Sequence, residues 1–105
     1  MHLYKFITNA ASPVLFIVED VLSAIKLSRY YNSLALLGTN LCDDMMHGFL
    51  QFDHVIIYMD NDNPRVKKLQ SVINARLEFI VDKVTLLKRQ RDPKLLSDSE
   101  LQSLV

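Results

Sequence analysis

The chain has 105 residues, half of them hydrophobic, with only 2 glycines and 3 prolines. That describes one folded domain around one core and excludes a disordered or low-complexity chain. Lys+Arg and Asp+Glu number 12 each, so the formal charge is zero and any contact with nucleic acid must be local or supplied by a neighbour. Cys42 is the only cysteine, which excludes an internal disulfide and every Cys-rich zinc module and is compatible with a reducing cytoplasm. No apolar run approaches the roughly 18–20 residues that span a bilayer. The first segment is interrupted by Asn9, Ser12 and Pro13, so no signal peptide is expected.

In chain order, residues 1–13 read as an N-terminal arm or an edge strand, since Leu3-Tyr4-Lys5-Phe6-Ile7 alternates only weakly. Val14–Val18 is a run of five apolar residues that predicts a strand buried on both faces, ending at Glu19-Asp20. From Asp20 to Tyr31 the period becomes helical, with Val21, Ala24, Ile25, Leu27 and Tyr31 inward and Lys26 and Arg29 outside. Ser33–Leu37 reads as a short strand, and Asn40 as the cap of a helix through about Leu50, with Leu41, Met45, Phe49 and Leu50 inward.

His54–Met59 is the clearest strand signal, an almost unbroken apolar run that gives way to Asp60-Asn61-Asp62-Asn63. Asn63 suits a helix N-cap and Pro64 the first helical position. The helix that follows has the cleanest period in the chain: Val66, Leu69, Ile73, Leu77 and Ile80 inward, Lys67, Lys68, Gln70, Asn74 and Glu78 on other faces. Lys83–Leu87 is a fourth strand, followed by the basic stretch Lys88–Arg91 and by Asp92-Pro93. Ser97-Asp98-Ser99-Glu100 is a capping box that opens a last short helix carrying Leu101 and Leu104. Strands alternating with helices predict an α/β fold, a four-stranded, mainly parallel sheet flanked by helices.

In such sheets ligands bind beyond the carboxyl ends of strands, where strand order reverses. Asp60 and Asp62 sit two apart, so in an extended segment they share a face. Two carboxylates aimed at one point repel unless protonated or bridged, and hard oxygen donors suit Mg²⁺ or Mn²⁺. A solvated acidic turn is the plainer alternative. If the strands ending at Val18 and Met59 are neighbours, Glu19 joins the pair.

Taken together, Val18-Glu19-Asp20-Val21-Leu22-Ser23-Ala24-Ile25, Leu36-Leu37-Gly38-Thr39, Asp60-Asn61-Asp62 and Asp92-Pro93 resemble the motifs of a TOPRIM domain. The version found in bacteriophage DNA primases and primase–helicases is the most similar. The resemblance runs from about Val14 to the C-terminus and implies a TOPRIM-like, Rossmann-like fold over residues 14–105. It further implies a Mg²⁺-dependent catalytic domain of a primase-type nucleotidyltransferase, making RNA primers in DNA replication from nucleoside triphosphates on a single-stranded DNA template. Carried over residue by residue, Glu19 is a metal ligand or general acid–base group, Asp60 and Asp62 are paired metal ligands, and Asp92 matches an acid near a second metal. Arg65, Lys67, Arg89 and Arg91 are candidate phosphate contacts by charge alone; Lys67 and Lys68 match no motif. The motif's usual glycine is Asp20 here, its next acid is Ser23, and Arg65 stands where a glycine often follows the aspartate pair.

A primase also needs a template-reading module, often a zinc ribbon, and a helicase needs a P-loop, for which no Gly-x-x-x-x-Gly-Lys-Ser/Thr is present. The expectation is therefore a core that is inactive in isolation and works with another domain or subunit, in the cytoplasm, and that of the bacterial host if the chain is of phage origin. Two other classes stay open. A degenerate TOPRIM fold serves only protein contacts, and a receiver-like domain uses Asp60 as phosphoryl acceptor. Met45, Met46, Tyr30 and Tyr31 read as packing residues, Cys42 as an inert thiol, and His47 and His54 lack metal-spaced partners.

Overall fold

A computed structural model describes residues 5–9, 12–36, 48–49, 51–59, 64–87 and 93–104. Its elements, in order, are β1 (Lys5–Ile7), β2 (Val14–Val18), α1 (Val21–Leu27), β3 (Asn32–Ala35), β4 (His54–Ile57), α2 (Pro64–Leu77), β5 (Lys83–Leu86), a 3₁₀ turn (Pro93–Leu95) and α3 (Asp98–Gln102). Among the described residues the strands form one five-stranded sheet in the order β1-β3-β2-β4-β5. Four are parallel, and β1 lies antiparallel on β3 with Phe6 opposite Leu34.

The sheet is therefore mixed and five-stranded rather than four-stranded. The extra strand comes from the N-terminal segment, whose three paired residues are too few for a sequence period but gain a ladder along β3. Phe6 then packs edge-on against Phe49 at 5.8 Å. Gly48 leaves room for that ring: a Cβ there would meet Phe6 at 3.0 Å. The expected helix from Asn40 is described only at Gly48 and Phe49, and Phe49 is fully buried, as its inward placement requires. Leu41, Cys42, Met45, Met46, His47 and Leu50 lie outside the described residues.

Central position explains composition. β2 is hydrogen-bonded on both sides and covered on both faces, and all five of its residues are buried. Successive side chains alternate between faces. Leu15 and Ile17 join Val55, Ile57, Leu34, Ile73 and Leu77 in one core layer under α2. Val14, Phe16 and Val18 join Ile56, Tyr58, Ala24, Leu27 and Leu101 in the other, under α1 and α3. The connection β2–α1–β3 runs to one side of β2 and β4–α2–β5 to the other. With both crossovers right-handed, their helices must lie on opposite faces, as they do.

Two expectations need correction. Ile25 is half exposed, not inward, because α1 buries the side formed by Ser23, Ala24 and Leu27, and Ile25 lies well around the helix from it. Gln70 is buried on the inner side of α2, beside Leu77 around the helix, not on an outer face. β5 is present where a fourth strand is expected, as an edge strand with Lys83 and Leu86 exposed. The expected inward stripe of α2 is otherwise present, with Ile73 and Leu77 fully buried and Val66, Leu69 and Ile80 packed against the same layer. The capping box at Ser97 is also present: Glu100 N–H donates to Ser97 Oγ at 3.3 Å and Ser97 N–H to Glu100 Oε1 at 3.0 Å. Among the described residues no helix is long and apolar enough to cross a membrane.

Candidate functional site

The carboxyl edge of the sheet is set by β2 and β4, which are parallel neighbours. Strand order reverses here, since β3 lies beyond β2 and β5 beyond β4. Backbone pairing continues past the strand ends: Tyr58 N–H donates to Ile17 O at 2.9 Å, and Leu36 N–H to Val18 O at 3.0 Å. Each β2 residue is level with the β4 residue forty positions later, as Ile17 is with Ile57. Continued past the strand ends, that offset brings Glu19 level with Met59, the last described residue before Asp60. Adjacent strands run about 4.8 Å apart, so the ends of the two strands are close neighbours.

Glu19 is half-buried at the bend between β2 and α1. The next residue has a structural task. Asp20 caps α1: its Oδ1 accepts from Ser23 N–H at 2.8 Å, and its Oδ2 from the buried Ser23 hydroxyl at 3.0 Å. A carboxylate is favoured at that position because it satisfies an orphan amide and faces the positive end of the helix. Asp20 and Ser23, the two departures from the motif that the first stretch resembles, thus bond to each other.

Asp60, Asp62 and Asp92, like Arg89 and Arg91, lie outside the described residues. Among the described residues no cluster of three acids, histidines or cysteines forms a metal site. Arg65 and Lys67 are exposed in the first turn of α2, the end that follows β4 after a short connection. Lys68 is exposed one position on.

Two titrating groups stand apart from this edge. His54 opens β4 at the opposite end, with its Nε2 2.8 Å from Thr85 Oγ1 on β5; partial burial and then the nearby Lys83 charge lower its pKa. Tyr31 is buried against Phe16, ring centroids 4.8 Å apart, and burial raises its pKa. Its hydroxyl donates toward Leu101 O at 2.8 Å and Gln102 O at 3.1 Å, so the Tyr30–Tyr31 pair packs, as expected, and Tyr31 also ties down α3.

One surface feature is absent from the sequence reading. Phe79, just past α2, is 90% exposed. Its signal is its offset from the stripe Val66–Leu69–Ile73–Leu77–Ile80, which leaves an aromatic ring facing outward.

No protein-family model, no curated protein and no solved structure matches the chain.

Proposed function

We propose that the chain is a Mg²⁺- or Mn²⁺-dependent TOPRIM-type core of a primase-like nucleotidyltransferase, acting with a template-binding partner. The observation that supports this most is the parallel pairing of β2 with β4 at the point where strand order reverses. Glu19 follows one of those strands, and Asp60 and Asp62 follow the other.

The donor set is chemically suited to such an ion, since all of its members are carboxylates and hard cations prefer oxygen. Glu19, Asp60 and Asp62 would hold it, with Asp92 beside a second. Bound there, such an ion would supply charge neutralisation for a transferring phosphoryl group and favour deprotonation of an attacking hydroxyl. Glu19 serves as ligand or as acceptor of that hydroxyl proton. Arg65 and Lys67, at the end of α2 nearest this edge, supply cationic contacts for the phosphates of a nucleoside triphosphate. With no net charge, the chain holds single-stranded DNA weakly by itself and makes no primers alone.

Calorimetric titration with Mn²⁺ tests the assignment. Wild type should bind with measurable heat, and Glu19→Gln should bind at least tenfold more weakly. Equal affinities for the two proteins would remove Glu19 from the ligand set. Template-dependent ribonucleotide incorporation by the 105-residue chain alone would overturn its dependence on a partner.

A contact-only TOPRIM-like module is the second reading. The Asp20–Ser23 pair favours it, because both first-motif departures serve the helix terminus, as do the exposed Leu22 and Ile25 on α1. That module would show no heat with Mn²⁺.

A further inference from the structure

The outer stripe of α2 combines charge and exposed ring in a way the core does not require. Between Pro64 and Leu77 the helix carries four basic residues, Arg65, Lys67, Lys68 and Arg76, and no acid, in a chain whose total charge is zero. Positions 68, 72, 75 and 79 follow helical spacing on the side away from Ile73 and Leu77. All four are exposed, Val72 at 41% and Phe79 at 90%. Glu78 N–H still donates to Asn74 O at 3.1 Å, so the helical bonding runs one residue past Leu77, and Phe79 follows in the turn that closes α2. The neighbouring Glu78 carboxylate is held by Asn74 Nδ2 at 2.9 Å, back along its own helix rather than across the ring.

Isolated exposed apolar residues are ordinary, but a ring 90% exposed just past a helix whose charged residues are all cationic is complementary to one kind of ligand. Phosphates meet the cations, and a base, which always has a π-face, meets the ring. Position matters too. α2 starts just after the strand end that carries the candidate acids, and Lys68 to Phe79 spans about 16 Å along the helix. A strand leaving the carboxyl edge would run down this stripe.

We infer that the outer stripe of α2 is a track for single-stranded nucleic acid, with Lys68 contacting a phosphate and Phe79 stacking on a base. The track deepens the primase-like reading by giving its template strand a place, and for that purpose it rests on that reading. Its occupancy does not need the metal site.

The chain contains no tryptophan, so Phe79→Trp installs a single reporter at the expected stacking position. Titrated with a short oligothymidylate at low ionic strength in EDTA, this variant should lose emission as the strand binds. Fluorescence anisotropy of a labelled oligonucleotide should show Phe79→Ala weakening affinity at least fivefold. Lys68→Glu should weaken it too and flatten the dependence of log affinity on log salt by about 0.7 for the lost cation. Both residues are solvent-exposed, so the circular dichroism melt of each variant should match wild type. Unquenched tryptophan emission from the Phe79→Trp variant, or wild-type affinity in Phe79→Ala, would overturn the inference. So would a concentration-dependent dimer that Phe79→Ala dissolves without any effect on the oligonucleotide, since the stripe would then be a protein contact. Because the titration is run without divalent ions, failure here leaves the metal assignment standing. A Mn²⁺-insensitive protein that still quenches leaves the track standing.

Discussion

The two faces of the sheet are stabilised in different ways. Under α2 the core layer is apolar but for the buried Gln70 beside it, and is covered by one helix of 14 residues whose stripe recurs over four turns. On the other face the covering helices have seven and five residues, too short to hold themselves in water, and discrete polar contacts fix their ends. Asp20 caps α1, the Ser97–Glu100 box caps α3, and the Tyr31 hydroxyl holds the last carbonyls of α3. Arg29 adds a salt bridge to Asp98 at 3.0 Å, but with both side chains more than half exposed it contributes little. The first face depends on area and the second on geometry.

Truncation of the apolar face should have the largest effect. Ile57 is fully buried between β2, β5 and α2, and Ile57→Ala should cost about 2–5 kcal/mol, read by chemical denaturation. A loss within experimental error would show that this strand is not the centre of the core. On the opposite face, removing one oxygen should already matter. Tyr31→Phe keeps the ring against Phe16 but leaves the Leu101 and Gln102 carbonyls without that donor, which should cost about 1–3 kcal/mol. Amide exchange should speed up in α3 and stay unchanged in α2; equal acceleration in both would erase the distinction between the faces.

Asp20→Ala should cost about 1 kcal/mol by uncapping α1. Because the Asp20 carboxylate is committed to the cap, the variant should retain its full response to Mn²⁺. Loss of that response would add Asp20 to the proposed metal set.

The smallest effect concerns the end of the sheet away from the candidate site. His54 has a lowered pKa in the folded chain, so the unfolded chain takes up the proton more readily. Its contribution is intact above about pH 6.5, the unfolded value, and is lost as pH falls through the lower folded pKa. His54→Gln should flatten the stability profile in that range, and an unchanged profile would mean that the imidazole is not responsible.

What can be read from the sequence follows the same division. The α2 stripe and the β2 and β4 runs are legible because burial under a long helix or inside a parallel sheet imposes a period on many residues. The Ser97–Glu100 box is legible because its chemistry is local. Ile25, Gln70 and β1 are not. Whether Ile25 faces inward depends on which side of α1 meets the sheet, and Gln70 sits beside the buried stripe by a fraction of a turn. β1 exists only through its pairing with β3. Of the candidate site, the sequence indicates that acids follow two strands, while the adjacency of those strands is a matter of topology. The charge of Asp20 is plain in the sequence, but its bonds to Ser23 depend on where α1 begins.

The central claim is that Glu19, Asp60 and Asp62 form one metal site at the carboxyl edge. The most direct measurement is a thermal melt of wild type and Asp60→Asn, each with and without millimolar Mn²⁺. Three clustered carboxylates repel in the absence of metal, so Mn²⁺ should raise the melting temperature of wild type in proportion to occupancy. Asp60→Asn should lose most of that shift while melting at or above the temperature of metal-free wild type, since one repelling charge is gone. A wild-type melt indifferent to Mn²⁺, or a variant destabilised equally with and without it, would contradict the metal site and leave a contact module as the better description.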